Sequence, residues 1–261
     1  MSDADVPSGF VALTVGRARA VCAVHVADAV REALDAGTLY DYAHEHPNAR
    51  ALRGRGVVYA VPLPGDVEHV VVRHNHHGGL LAPVTRDLFR QPTRAPHELL
   101  LSERLREYGI PTPRMLGYVV YRAPLGFARA DVMTREMPNS FDFSFAITSS
   151  DTNVRARAIA AVSDLVITLA AVGACHEDLN VKNILLYESG GGGSLEAMVL
   201  DVDRVTFGTP AIALDLNLER LLRSARKWQS LHGATVTDGE LAAFARSVRE
   251  RRSPRSLSTS S

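Results

Sequence analysis

The segment that most constrains this chain is His176-Glu177-Asp178-Leu179-Asn180-Val181-Lys182-Asn183, a polar loop set between apolar runs. Before it, Val154 to Val172 places Ile159, Val162, Val166 and Leu169 at i, i+3, i+7 and i+10. That spacing predicts an amphipathic helix facing a core, closed by Gly173. After it, Ile184-Leu185-Leu186-Tyr187 and Met198-Val199-Leu200 predict two short strands. They join through the flexible turn Gly190-Gly191-Gly192-Gly193-Ser194 and form a hairpin just behind the loop. Asp201 emerges at the end of the second strand. A carboxylate and an amide from the loop, and a second carboxylate from the strand end, are thereby aimed at one place.

Phosphoryl transfer from a nucleotide asks a protein for positioning and charge neutralisation more than for covalent chemistry. It needs a carboxylate that meets the acceptor hydroxyl, and oxygen ligands for Mg²⁺. Asp178 fits the first role, and Asn183 and Asp201 fit the second. The order His-x-Asp-x-x-x-x-Asn, strand, turn, strand, Asp is the catalytic-loop and metal-loop arrangement of kinases. An isolated His-x-Asp is ordinarily a pair of polar loop residues; the ordered set on a hairpin carries the reading.

Upstream, the pattern predicts a small sheet. Val57 to Val61 and Val67 to Arg73 read as a hairpin around Pro64-Gly65-Asp66, where Pro presets φ and Gly supplies a positive φ. Gly54 and Gly56 precede the first strand and are candidates for a phosphate-covering loop, although such pairs are most often plain turns. Arg73, on the second strand, stands where this kind of fold places a phosphate-contacting lysine. The alternative for Arg73 is a solvated strand end. His97 to Tyr108 reads as a helix with Leu100, Leu101 and Leu105 on one face, stopped by Gly109 and Pro111. Glu98 at its start either pairs with Arg73 or complements the helix dipole. Val119 to Tyr121 and Asp131 to Thr134 read as further strands, and the polar stretch 135–139 as a hinge. Leu214, Leu218, Leu221 and Leu222 predict a last amphipathic helix. The expected organisation is an N-terminal lobe over 1–137, a catalytic lobe over 138–252 and a disordered Ser/Arg-rich tail over 253–261. The fold class is α+β: a two-lobed, protein-kinase-like architecture with an antiparallel sheet and one helix, then a mainly helical lobe.

Charge narrows the partners only slightly. Lys plus Arg number 29 and Asp plus Glu number 29, so net charge argues neither for nor against an anionic partner, and no nucleic-acid partner is expected. Arg246, Arg249, Arg251, Arg252 and Arg255 near the end face one acid, Glu250; a solvated, frayed terminus is the first reading, and contact with anionic lipid or nucleic acid the second. Cys22 and Cys175 sit in apolar surroundings and read as buried free thiols of a reducing compartment. The acidic start lacks the basic region of a signal peptide, and no apolar run approaches the ~18 residues that span a bilayer. A cytoplasmic location is expected.

From about Gly54 to about Trp228 the chain resembles the lipopolysaccharide kinase family, and within it the 3-deoxy-D-manno-octulosonic acid (Kdo) kinases. Gly54-Arg55-Gly56, Val72-Arg73-His74 with Gly78-Gly79-Leu80, the loop from His176 to Leu186, Leu200-Asp201-Val202-Asp203-Arg204 and the helix Asn217 to Ser224 carry the resemblance. It implies ATP and Mg²⁺ as cofactors, Asp178 as the group that orients or deprotonates the acceptor, Asn183 and Asp201 on the metal, and Arg73 in place of the usual lysine, paired with Glu98. The implied acceptor is a Kdo sugar on a lipid A precursor. The implied place is the cytoplasmic face of the inner membrane, held peripherally by the basic tail and by Arg220, Arg223, Arg226 and Lys227. The run from Arg73 to Gly79 would meet the acidic sugar. Glu177, Lys182, Val202 and the run Asn75-His76-His77 depart from the family pattern, which leaves room for a shifted acceptor. Another small-molecule or atypical protein kinase of this fold remains an alternative, as does a non-catalytic binding module.

Overall fold

In the computed structural model, residues 6–53, 57–75, 88–90, 93–189 and 194–252 are described. They fall into two compact units, Met1–Arg104 with Pro113–Glu136, and Leu105–Thr112 with Met137–Ser261.

The first unit is built on an antiparallel sheet. Its strands are β1 (Phe10–Val15), β2 (Ala18–Ala23), β3 (Arg50–Arg53), β4 (Val57–Pro62), β5 (His69–His74), β6 (Phe89–Arg90), β7 (Met115–Arg122) and β8 (Phe127–Arg135). The order is β1-β2-β7-β8-β5-β4-β3, with β6 also on β8. The expected hairpin is β4–β5, with Gly65 at φ 71° in the turn. Its second strand begins at His69 rather than Val67, because the Leu63 N–H to Glu68 carbonyl bond (2.9 Å) keeps 67–68 in the turn. β7 and β8 extend well beyond the two expected runs.

Besides α3 (Ala95–Glu107), where one helix was expected, this part of the chain holds α1 (Ala27–Asp35) and α2 (Leu39–Glu45). Their sequence signals are real but short. α1 buries Ala29, Val30, Ala33 and Leu34. α2 opens on a capping box in which Thr38 Oγ1 accepts the Asp41 N–H (3.0 Å) and the Asp41 carboxylate accepts the Thr38 N–H (3.2 Å). In α3, Leu101 and Leu105 are buried as expected, but Leu100 is 49% exposed. At 100° per residue, Leu101 and Leu105 share a face and Leu100 does not.

The second unit has β9 (Phe141–Asp142), α4 (Phe143–Thr148), α5 (Thr152–Ala171), β10 (Ala174–His176), β11 (Ile184–Ser189), β12 (Ser194–Val199), β13 (Val205–Phe207), α6 (Pro210–His232) and α7 (Asp238–Arg252). β12-β11-β9 form one small sheet and β10-β13 another, both antiparallel. α5 begins where Asp151 caps the Asn153 and Val154 N–H groups. It buries Ala158, Val162, Leu165, Val166 and Leu169, while Ile159 is only half-buried, so the apolar stripe is wider than the four residues expected. β12 starts earlier than Met198 and ends before Leu200.

The basic stretch up to Arg252 is helical rather than frayed: it is the end of α7, and Arg251 pairs with Asp164 (2.5 Å). Among the described residues, no helix is long and apolar enough to cross a membrane. Cys22 and Cys175 are free and buried, and burial pushes the Cys22 thiol up to about 12.

Candidate active site

The loop begins at β10. That strand pairs with β13 on one edge, His176 opposite Val205. On its other side stands the side chain of Asn217, from α6. Asn217 Oδ1 accepts the His176 N–H (2.9 Å), and its Nδ2 donates to the Ala174 carbonyl (2.8 Å). A fully buried amide thus takes the place of a neighbouring strand. Gly173 makes the tight entry possible. It has φ +72°, and a Cβ there would lie 2.0 Å from the Gly208 carbonyl oxygen.

His176 is buried and works as a staple. Its Nδ1 accepts the Asp178 N–H (3.2 Å) and its Nε2 bonds the Leu200 carbonyl (2.8 Å). A backbone N–H must donate and a carbonyl must accept, so the imidazole is neutral with its proton on Nε2. Burial holds its pKa below the usual histidine range, against the raising effects of the Leu200 carbonyl bond and of Asp201, Asp178 and Asp203. The Leu200 N–H in turn donates to the Asn183 carbonyl (2.9 Å). Both backbone groups of Leu200 are therefore tied to the loop, and the residue after it, Asp201, is carried along.

Within the loop, Asn180 Nδ2 and Asn183 Nδ2 both donate to the Asp178 carbonyl (2.9 Å each). The Asn183 N–H closes a turn on the Asn180 carbonyl (3.0 Å). Once the Asn183 amide nitrogen is committed, its Oδ1 is left without a hydrogen bond among the described residues, in a side chain that is otherwise buried. The Asp201 carboxylate accepts none among them either, and Asp201 sits at φ 52°, ψ 48°, in the left-handed region. One amide oxygen and one carboxylate are hard oxygen donors of the kind Mg²⁺ takes when phosphates and water complete its shell. Among the described residues no group of three His, Cys, Asp or Glu could hold a metal by itself. The donor set fits an ion bound together with a nucleotide.

α6 supplies more than Asn217. Arg220 Nη1 donates to the His176 carbonyl (3.1 Å), and Ser224 Oγ accepts the Val181 N–H (3.2 Å). Lys182 Nζ lies 5.4 Å from the centroid of the Trp228 ring. Residues 217, 220, 224 and 228 fall at i, i+3, i+7 and i+11, one face of a helix running alongside the loop. Sequence reasoning credited α6 with its leucine stripe and overlooked this polar one, although the spacing was there to read. Arg220, expected to face a membrane, is engaged with the loop backbone, while the exposed Arg223 pairs with Glu219 (2.5 Å) on the surface of α6.

In the first unit, the Arg73 guanidinium pairs with the buried Glu98 carboxylate, and Arg73 Nη1 donates to Asn75 Oδ1 (3.3 Å). The expectation that His74 and Asn75 meet a sugar does not match their placement. His74 Nδ1 is 2.5 Å from Oδ1 of the fully buried Asp131, which also accepts from Tyr121 OH (2.8 Å) and the Tyr40 N–H (3.0 Å). Asn75 is buried, with its N–H on the Ala130 carbonyl (2.9 Å). Gly54 and Gly56, His76, His77 and Gly78 to Leu80 lie outside the described residues.

The α+β architecture is that of protein-kinase-like enzymes. The chain is similar to a solved glucosamine kinase in complex with glucosamine, ADP and inorganic phosphate, with a TM-score of 0.50 over 95% of this chain and 80% of that one, at 13% identity. The particular family follows from sequence. The lipopolysaccharide kinase (Kdo/WaaP) family profile matches residues 45–246, and the chain belongs to this family of phosphotransferases. Among its relatives are the 3-deoxy-D-manno-octulosonic acid kinases of Actinobacillus succinogenes (29% identical over 195 residues, 72% of this chain and 79% of that protein) and of Haemophilus influenzae strain Rd (29% over 181 residues, 67% and 73%).

Proposed function

We propose that this chain is an ATP-dependent, Mg²⁺-requiring kinase that phosphorylates a hydroxyl of a Kdo sugar in the lipopolysaccharide inner core or a lipid A precursor. One observation carries the reading: Asp178, Asn183 and Asp201 are borne on a single hydrogen-bonded frame in which the Asn183 amide oxygen and the Asp201 carboxylate have no other partner among the described residues. The acceptor comes from the Kdo kinases at 29% identity.

In this reading Asp178 accepts the proton of the attacking hydroxyl, and its backbone is held in the loop by His176, Asn180 and Asn183. Asn183 and Asp201 hold Mg²⁺, which when bound offsets charge on the nucleotide phosphates. Arg73, oriented by Glu98, is the first unit's candidate phosphate contact, a planar two-pronged donor. The exposed Arg226, Lys227, Arg246 and Arg249 favour peripheral contact with an anionic membrane surface on the ATP-bearing, cytoplasmic side.

The test is direct. Purified protein, ATP and Mg²⁺ are incubated with a Kdo–lipid A precursor, and the product is read by mass spectrometry. The expected product carries one added phosphate on Kdo, and Asp178→Asn lowers turnover by about 10³-fold or more. Phosphate appearing only on a protein or on a neutral sugar refutes the acceptor assignment. The absence of ATP turnover with any acceptor refutes the kinase reading.

A further inference from the structure

We propose that Lys182 is the specificity-determining cation that receives the carboxylate of the acceptor sugar, with Asp142 and Trp228 as its positioning residues. This rests on the Kdo-kinase reading above and deepens it. Lys182 directly precedes Asn183 and follows the proposed base Asp178 by four residues, inside the turn that the Asn180 carbonyl and Asn183 N–H close. Its own N–H donates to Asn180 Oδ1 (2.9 Å), so its backbone belongs to the same rigid frame as the proposed catalytic groups.

The side chain is held as well, yet not used up. Lys182 Nζ donates to Asp142 Oδ2 (3.2 Å) and lies 5.4 Å from the centroid of the Trp228 ring. An ammonium has three donors. One goes to Asp142, and the others find no hydrogen-bond acceptor among the described residues, while the side chain is 53% exposed. A lysine left to itself on a surface loses much rotamer entropy when it binds an anion. Here an aromatic face and a carboxylate already narrow its range before any anion arrives.

Asp142 holds the ammonium without enclosing it, and the Lys182 side chain stays 53% exposed. The other Asp142 oxygen, Oδ1, accepts from Ser144 Oγ and from the Phe145 N–H (3.1 Å) as the cap of α4, so its negative charge is shared with a helix start. Trp228 is half-buried and its far neighbour is His232, with ring centroids 4.2 Å apart. Its indole N–H has no partner among the described residues and is a further donor in the same cluster. A fixed cation with spare donors, beside an aromatic side chain and next to the groups proposed to handle the hydroxyl, matches a sugar that carries an acid. A neutral hexose would offer the spare donors of the ammonium no anionic partner.

The experiment compares wild type, Lys182→Gln and Lys182→Arg on three acceptors: the Kdo–lipid A precursor, the same molecule with the Kdo carboxylate converted to an amide, and the same molecule with its lipid phosphates removed. Lys182→Gln is expected to raise the KM of the intact acceptor about tenfold, the factor that about 1.4 kcal/mol represents. Its KM for ATP should move less than about twofold on the same scale. Lys182→Arg, which keeps the charge, should stay near wild type. The tenfold gap should disappear on the amide and persist on the dephosphorylated acceptor. Trp228→Ala should weaken acceptor binding in the wild-type background and add nothing in Lys182→Gln, a coupling that a purely structural tryptophan would not show.

An unchanged acceptor KM, or a gap that survives on the amide, overturns the assignment. A gap that vanishes with the lipid phosphates shows that Lys182 reads those instead. If wild type phosphorylates none of the three acceptors, the Kdo-kinase reading itself falls. If wild type is active and Lys182→Gln is its equal, only the subsite falls.

Discussion

Replacing Asn217 by leucine tests the claim that one buried amide substitutes for a strand. The side chain is 0% exposed and makes two hydrogen bonds, to the His176 N–H (2.9 Å) and the Ala174 carbonyl (2.8 Å), both in a buried strand. Leucine keeps the branched outline but is bulkier, so no cavity forms and any overpacking only adds to the loss. What remains is a donor and an acceptor deprived of their partners. Each unsatisfied buried group costs about 1–3 kcal/mol, giving about 2–6 kcal/mol in all. Set against the ~5–15 kcal/mol that holds a typical domain together, this is a large share. Asn217→Asp should be worse than leucine, because a second carboxylate oxygen would face the Ala174 carbonyl and a charge would be buried. Equilibrium urea unfolding followed by fluorescence suits the measurement, since Trp228 is the single tryptophan and lies on α6, four residues beyond Ser224. The midpoint for Asn217→Leu should fall with little change in slope. A loss below about 1 kcal/mol, or aspartate tolerated better than leucine, would refute the reasoning.

Three further outcomes follow from the same frame. Asp201→Asn should weaken Mg²⁺–nucleotide binding itself, by about tenfold or more in a titration of ATP with Mg²⁺; a mild effect equal to that of Asp178→Asn would undo the division of roles between the two. His176 has its pKa lowered by burial, so as pH falls below the ordinary histidine value of about 6.5 the unfolded chain takes up a proton that the native state does not, and stability declines until the native pKa is passed. The difference in unfolding free energy between wild type and His176→Asn should accordingly shrink between pH 7.5 and pH 5.5, and a difference independent of pH would show that His176 is not held neutral. Gly173→Ala should lower the melting temperature sharply. The left-handed backbone alone costs about 1–2 kcal/mol, and the new Cβ would stand 2.0 Å from the Gly208 oxygen. A melting temperature near wild type would mean that β10 and β13 can part there without penalty.

The groups proposed to do chemistry were legible in the sequence because their spacing is short-range. Asp178, Asn183 and Asp201 need only a loop and a hairpin to converge, and both announce themselves through Gly173, Ile184 to Tyr187 and the glycine turn. The helix α5 was legible for the same reason, as a strong 3.6-residue period. The scaffold was less so. β1, β2, α1 and α2 are brief, and α1 and α2 owe their stability to burial of Val30, Leu34 and Leu39 against the sheet rather than to propensity. The direction of His74 was hidden too. On β5 it alternates inward, towards Asp131 on β8, a pairing that only the strand register reveals. Arg220 misled because a guanidinium in a sequence looks the same whether it faces lipid or a carbonyl.

The left-handed conformation of Asp201 joins the loop to the strand that supports it. A non-glycine residue at φ 52° is uncommon, and aspartate and asparagine reach that region more easily than most. The strain is held in place by fixed neighbours: Leu200 is tied through both backbone groups, the Arg204 N–H returns to the Asp201 carbonyl (3.2 Å), and the Glu177 N–H reaches the Arg204 carbonyl (2.8 Å). The chain can then turn into a short 3₁₀ segment that buries Val202 and delivers β13 to β10. Site and scaffold are therefore one construction: β13 stabilises the strand that carries His176, His176 fixes Leu200, and Leu200 presents Asp201. It also explains why asparagine, and not alanine, is the right probe at 201. Asparagine keeps the backbone in its left-handed turn and removes only the charge, whereas alanine would alter both at once.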